Sequence, residues 1–208
     1  MCSGQGLLAR LPISGVNELI LLTAVLAGTF AGVVRARIGQ RRLRIPDLRA
    51  FGLLILAYLP QLVVFRFPFT RHQIPDSVIP VILIASMILL VFFAWLNLEL
   101  PGFWFLLLGT LFNALVILFN DGLMPISPET VRRLAPELPM NTLVLGERLG
   151  TSKDVLLNRE VTQLWWFSDR LILPDWVPWQ AALSWGDILI AFGTFWFLWS
   201  LGNSKDVN

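Results

Sequence analysis

Asn113 stands near the middle of an apolar stretch, where a carboxamide has both donors and acceptors to satisfy. Gly109, Asn113, Val116 and Asn120 recur at i, i+4, i+7 and i+11, which places them on one narrow helical seam. Two uses fit that seam: a hydrogen bond to a neighbouring helix, about 0.6 kcal/mol in a bilayer, or a contact to a substrate. The carboxylates form a second set. Glu18, Asp121 and Asp187 fall at the ends of apolar runs, while Arg66, Arg71 and His72 lie in one connection between runs. Brought together, these six would line an outward-facing polar cavity. Taken singly, Asp187 is a helix cap, Asp121 a turn residue and Glu18 a first-turn acid, and the arginines reach lipid headgroups. His72 offers one ligand to a haem or chlorophyll-type pigment; the alternative is a surface residue in a turn.

Other chemistry is quickly excluded. One histidine and one cysteine, Cys2, do not build a zinc site. The sequence holds no glycine-rich phosphate loop, no HExxH and no GxSxG. No catalytic residue, metal or cofactor is assigned on these grounds.

The elements that position these residues are membrane helices. Of the 208 residues, 56% are hydrophobic and only 14% charged, against about 25% charged in an ordinary soluble domain. Mean hydropathy is +0.70. Disorder and a small disulfide scaffold are both excluded by these figures. Five apolar runs are predicted as spans, at about 16–34, 46–65, 78–96, 101–120 and 185–201. The leader before the first run is short and polar and has no basic region, so that run is read as a retained span. Pro46 and Asp47 open the second run, which Pro60 should kink. Pro80 is harmless in the first turn of the third, and Gly122 stands where a C-terminal cap after the fourth needs positive φ. Ser184 and Asp187 form a capping box at the fifth. Ala24, Gly28 and Gly32 give the first span a face of small residues suited to internal helix packing.

Orientation follows from the first connection. It carries Arg35, Arg37, Arg41, Arg42, Arg44 and Arg49 against one acid, Asp47, a positive-inside signal that puts this loop in the cytoplasm. The N-terminus is then outside and the C-terminus inside. The same arginines suit anionic lipid headgroups, and topology accounts for them without nucleic acid. Tryptophans fall into two belts on this arrangement, Trp95, Trp104, Trp196 and Trp199 at the inner boundary and Trp165, Trp166, Trp176, Trp179 and Trp185 at the outer.

Residues 123–183 form the external segment. Ser127, Pro128 and Glu129 start a short helix, and Thr151 to Asp154 reads as a second capping box opening a helix through Asn158. Val161, Leu164, Trp165, Phe167, Leu171 and Ile172 fall near one side of a helical wheel. The segment is too short for an independent core and is expected to lie as a cap on the helix ends, its aromatic side among headgroups. The predicted fold class is all-α: a single integral membrane domain over 1–208, with five spans and a short-helix external segment.

Asn120 to Ser127 (NDGLMPIS), Ser184 to Asp187 (SWGD) and Asp169 to Pro174 (DRLILP) carry a resemblance. On these residues the chain resembles a family of small bacterial integral membrane proteins known as a domain of unknown function. Asp121 stands where the family pattern has a second glycine. The resemblance implies a multi-pass protein of the bacterial plasma membrane and brings no activity. The leading expectation is a non-enzymatic accessory or scaffolding subunit, with membrane lipids and other membrane protein subunits as partners and no nucleic acid. The alternatives are a small-molecule or lipid carrier using the Asn113 seam, and a membrane enzyme using Asp121 and Asp187 at the outer interface.

Overall fold

The computed structural model describes residues 16–43, 45–67, 73–139, 142–150, 152–177 and 180–203. It is mostly helical. Five long helices are α1 (Val16–Ile38), α2 (Phe51–Arg66), α3 (Ile79–Leu96), α4 (Phe103–Phe119) and α6 (Trp185–Ser200), with the short α5 (Pro128–Leu134) between the last two. Leu19–Ile38 and Ile79–Leu96 are long and apolar enough to cross a membrane, and Phe51–Phe65 and Phe103–Phe119 are shorter apolar helices. Leu26, Phe30, Val81 and Ile88 are all more than 60% exposed, an apolar exterior of the kind that marks a membrane or protein contact.

Helix α1 packs on α6, α6 on α4, α4 on α3 and α3 on α2. Glycines set the closest approaches. A Cβ at Gly28 would lie 2.9 Å from the Phe195 carbonyl oxygen, and one at Gly32 would lie 2.6 Å from that of Leu198. The small-residue face of α1 is therefore used inside the bundle, against α6. At one end of the bundle, Phe103 meets Phe93 and Phe197 edge-on at 5.8 and 5.4 Å. Toward the other end, Val64, Ile79, Leu83, Val116, Ile117 and Met124 form a second buried cluster.

The second predicted span begins later than expected. Helix α2 starts at Phe51 rather than at Pro46, because Asn97 takes both backbone groups of Arg49. Its Oδ1 accepts from the Arg49 N–H at 2.8 Å and its Nδ2 donates to the Arg49 carbonyl at 3.0 Å. Pro60 lies inside α2, which continues past it, and α1 runs four residues beyond the predicted end, to Ile38.

Residues 123–183 depart from the all-α expectation by adding short strands to a mostly helical fold. They contain β1 (Met124–Ile126), β2 (Asp154–Leu156), β3 (Leu171–Ile172) and β4 (Ala182–Leu183). Strands β1 and β2 pair in parallel with Met124 opposite Asp154, and β3 and β4 pair antiparallel. A bridge between Ile126 and Asp169 and the Arg170 N–H to Leu183 carbonyl bond tie the two ladders together. The module also has a core of its own, in which Ile126, Val131, Leu149, Leu156 and Ala182 are buried together.

Helix α5 starts as the sequence indicates, with the Ser127 Oγ accepting from Thr130 N–H and Pro128 in the first turn. The helix expected from the Thr151 capping box is strand β2 instead, and Thr151 itself lies outside the described residues. Here Lys153 gives its carbonyl to Met124, and Leu156 and Gly146 bond across to 147 and 156. Neighbouring strands thus claim the backbone that a helix would have closed on itself. The stretch from Val161 to Ile172 is a 3₁₀ turn (Trp165–Phe167) followed by β3 rather than an amphipathic helix.

Candidate functional site

The turn after α4 launches the module. Asp121 and Gly122 both take left-handed backbone, with φ of 55° and 81°. Asp is among the few non-glycine types that accept this region, so Asp121 holds a conformation suited to glycine. Its side chain is exposed. A Cβ at Gly122 would run into Pro80 of α3, which explains the glycine beside it.

Asn120 ends α4 facing inward, 5% exposed. Its Oδ1 accepts from the Gln163 N–H at 3.0 Å, and its Nδ2 donates to the Gln163 carbonyl at 2.9 Å. The carboxamide thus substitutes for a peptide group and stops residues 161–167 from closing a helix.

About two turns deeper, Asn113 joins the first turn of α6. Its Nδ2 donates to Asp187 Oδ1 at 2.9 Å, and its Oδ1 accepts from Ser184 Oγ at 2.8 Å. Asp187 and Ser184 also complete the capping box: Asp187 N–H donates to Ser184 Oγ at 2.9 Å and Ser184 N–H to Asp187 Oδ2 at 3.0 Å. The result is a closed ring of three residues, its Ser184–Asp187 link made through their backbone N–H groups. Only glycine fits between them, since a Cβ at Gly186 would collide with the Asn113 carboxamide.

The module supplies a charged cluster. Lys153 precedes β2 on one side of β1, and Asp169 pairs with β1 on the other, its N–H donating to the Pro125 carbonyl. Across that strand Lys153 Nζ donates to Asp169 Oδ2 at 2.6 Å and to Asp154 Oδ1 at 3.0 Å. The side chains of Asp169 and Asp154 are 2% and 6% exposed and that of Lys153 is 29% exposed. Burial alone would lower the Lys153 ammonium, but Asp154, Asp169 and Asp187 together hold it above the ordinary lysine range. Burial pushes the Asp169 carboxyl up to about 8 against the pull of Lys153, and the like charges of Asp187 and Asp154 add to the rise. Three carboxylates around one ammonium retain a proton more readily than a simple pair. Among the described residues, no three His, Cys, Asp or Glu side chains are arranged to hold a metal ion.

The segments 120–127, 169–174 and 184–187, far apart in sequence, therefore meet at this junction. Residues 46–199 match the model of DUF5317, a family of unknown function. The chain belongs to that family. An uncharacterized protein of Thermotoga maritima is 28% identical over 142 residues, covering 65% of this chain and 72% of its own length. No solved structure matches the chain.

In this DUF5317 chain only two of the six outer polar residues, Asp121 and Asp187, have side chains among the described residues. Asp187 binds Asn113, and Asp121 is exposed in its turn. The side chains of Glu18 and Arg66, and all of Arg71 and His72, lie outside the described residues. Of the basic loop, Arg35 lies 4.3 Å over the Trp199 ring and Arg49 bonds Glu99 with both Nη atoms. Arg37 and Arg42 are exposed, Arg41 is partly buried, and Arg44 is outside the described residues. Lys153, Asp154, Asp169 and Ser184 were not singled out as site residues by sequence reasoning. A lysine between the cap-forming Ser152 and Asp154 reads as a solvated first-turn residue, and only the fold brings it to Asp169.

Proposed function

We propose that this chain is a five-span protein of a bacterial plasma membrane, with its N-terminus outside and its C-terminus inside. It works without catalysis, as an accessory or scaffolding subunit that fixes the 123–183 module at the outer face. The observation that carries this reading is the junction. Asn113, Ser184 and Asp187 direct their polar atoms to one another, and Lys153 bonds Asp169 and Asp154 within the module beside them. A junction so connected sets the position of a surface, and its groups are not left free to act on a substrate.

The two-ended arrangement supports the topology. The Arg49–Glu99 and Arg35–Trp199 contacts bring the basic loop, the turn after α3 and the C-terminal end of α6 together. The module joins the opposite helix ends, at Asn120 and Ser184. Helices α2, α4 and α6 span roughly 24–26 Å at 1.5 Å per residue, enough for a bilayer locally thinned or anchored by flanking tryptophans. An apolar groove of about 470 Å³, lined by Ile88, Phe92, Trp95, Leu107 and Leu111, suits lateral contact within the membrane.

The carrier reading requires a path to Asn113, which is 7% exposed and closed in by Gly109 and Gly186. The enzyme reading requires Asp121 and Asp187 to act together, yet Asp187 has both carboxylate oxygens engaged. Purification of the full chain from membranes in a mild detergent tests the proposal. A defined membrane protein partner retained at constant ratio is the expected result; a lone monodisperse monomer contradicts it.

A further inference from the structure

On the module a polar cleft of about 360 Å³ opens between α5 and the 158–172 segment. Arg133, Arg159 and Arg170 line it, together with Ser127, Asn158 and Trp165. Among the described residues none of the three guanidinium groups makes a hydrogen bond or an ion pair, although Glu129 and Glu160 also border the cleft. The Arg159 and Arg170 guanidinium carbons lie 4.0 and 4.4 Å from the Trp165 ring centroid. The Arg170 Nε is buried without a hydrogen-bond partner.

A buried guanidinium N–H without an acceptor costs stability unless something else satisfies it. Stacking on an aromatic ring fixes the guanidinium planes and leaves their in-plane N–H groups free to donate. Three arginines against two glutamates leave the cleft with a net positive charge, and a planar donor fork matches a tetrahedral oxyanion. We propose that this cleft binds a phosphate group, with Arg133, Arg159 and Arg170 donating to its oxygens and Trp165 orienting two of them. The volume accommodates a phosphate with a small substituent, which fits either a lipid headgroup or a soluble phosphoester. This assignment is independent of whether the chain has a protein partner in the membrane.

The test uses the full chain in a neutral maltoside detergent and isothermal titration calorimetry. The probes are inorganic phosphate, glycerol 3-phosphate and dihexanoyl phosphatidic acid, with dihexanoyl glycerol as the uncharged control. Saturable binding of at least one phosphate probe, weakened at least about tenfold in both Arg133→Gln and Arg159→Gln, is expected. Both side chains are exposed, so thermal stability should be unchanged. Arg37→Gln, at an exposed arginine outside the cleft, should bind like the wild type. Binding of dihexanoyl phosphatidic acid alone identifies a lipid headgroup, and equal binding of glycerol 3-phosphate identifies a soluble phosphoester. Absence of saturable binding by every phosphate probe, or binding unaffected by either cleft variant, overturns the proposal.

Discussion

Lys153 Nζ lies 2.6 Å from Asp169 Oδ2, on opposite sides of strand β1, at the place where the module meets the helices. Removing one partner of a buried pair leaves the other charge uncompensated, at a cost of about 3–5 kcal/mol when burial is complete. Lys153 keeps 29% of its side chain exposed, so the lower end of that range applies. In melts recorded above pH 8, where Asp169 is ionised, Lys153→Met strands three carboxylates and should lower the thermal midpoint in detergent more than the near-isosteric Asp169→Asn. Equal melting of Lys153→Met and wild type would remove the junction from the account.

The same pair has a pH signature. The folded-state pKa of Asp169 is raised to about 8 from an ordinary 3.8, so the folded form binds a proton that the unfolded chain has released. That contribution is complete below the unfolded value and is lost as pH rises through about 8. The melting temperature should therefore fall between pH 5 and pH 8 and flatten above it. Asp169→Asn, which cannot titrate, should show a shallower fall over the same window when melts are recorded in matched buffers.

At the α4–α6 contact, Gly186→Ala should destabilise by about 1–3 kcal/mol through overpacking, since its Cβ meets the Asn113 carboxamide. Asn113→Ala should cost about 1–3 kcal/mol on its own by leaving Ser184 and Asp187 short of a partner. In the double variant the clash disappears, so the two costs should sum to less than their parts. Strict additivity in thermal melts would show that the two positions do not touch.

Near the other end, Asn97→Ala should lower stability by about 1–3 kcal/mol, because it strips three hydrogen bonds from a side chain that is 2% exposed. Arg49→Gln should change the melt little, since the Arg49–Glu99 pair is exposed and such pairs contribute about 0–1 kcal/mol. A larger loss from Arg49→Gln than from Asn97→Ala would reverse this ranking.

Helix ends were largely legible in the sequence, because local chemistry writes them. Ser127 with Pro128, Ser184 with Asp187, Pro80 and Gly122 all do what their types indicate. The Gly109–Asn113 seam was readable for the same reason, as a property of one helix. Pairing between distant segments was not. Asn97 and Asn120 each substitute for a peptide group toward residues 48 and 43 positions away, and no local pattern announces that use. Those two side chains account for the late start of α2 and the missing helix at 161–167. Strand β2 was misread because Ser152 and Asp154 have cap-forming side chains whose backbone is taken by β1 and by residues 147–149. Lys153 and Asp169 are a property of that pairing, so the charged junction could not precede the sheet.

The central claim is that the 123–183 module and the basic loop lie on opposite sides of a membrane. Two single-cysteine chains in a Cys2→Ser background test it most directly: Ile45→Cys in the basic loop, at a site 77% exposed, and Glu137→Cys on the exposed surface of the module. Intact cells are treated with a membrane-impermeant maleimide, before and after permeabilisation. The account predicts labelling of Glu137→Cys in intact cells and of Ile45→Cys only after permeabilisation. Labelling of both in intact cells, or of Ile45→Cys alone, would contradict it.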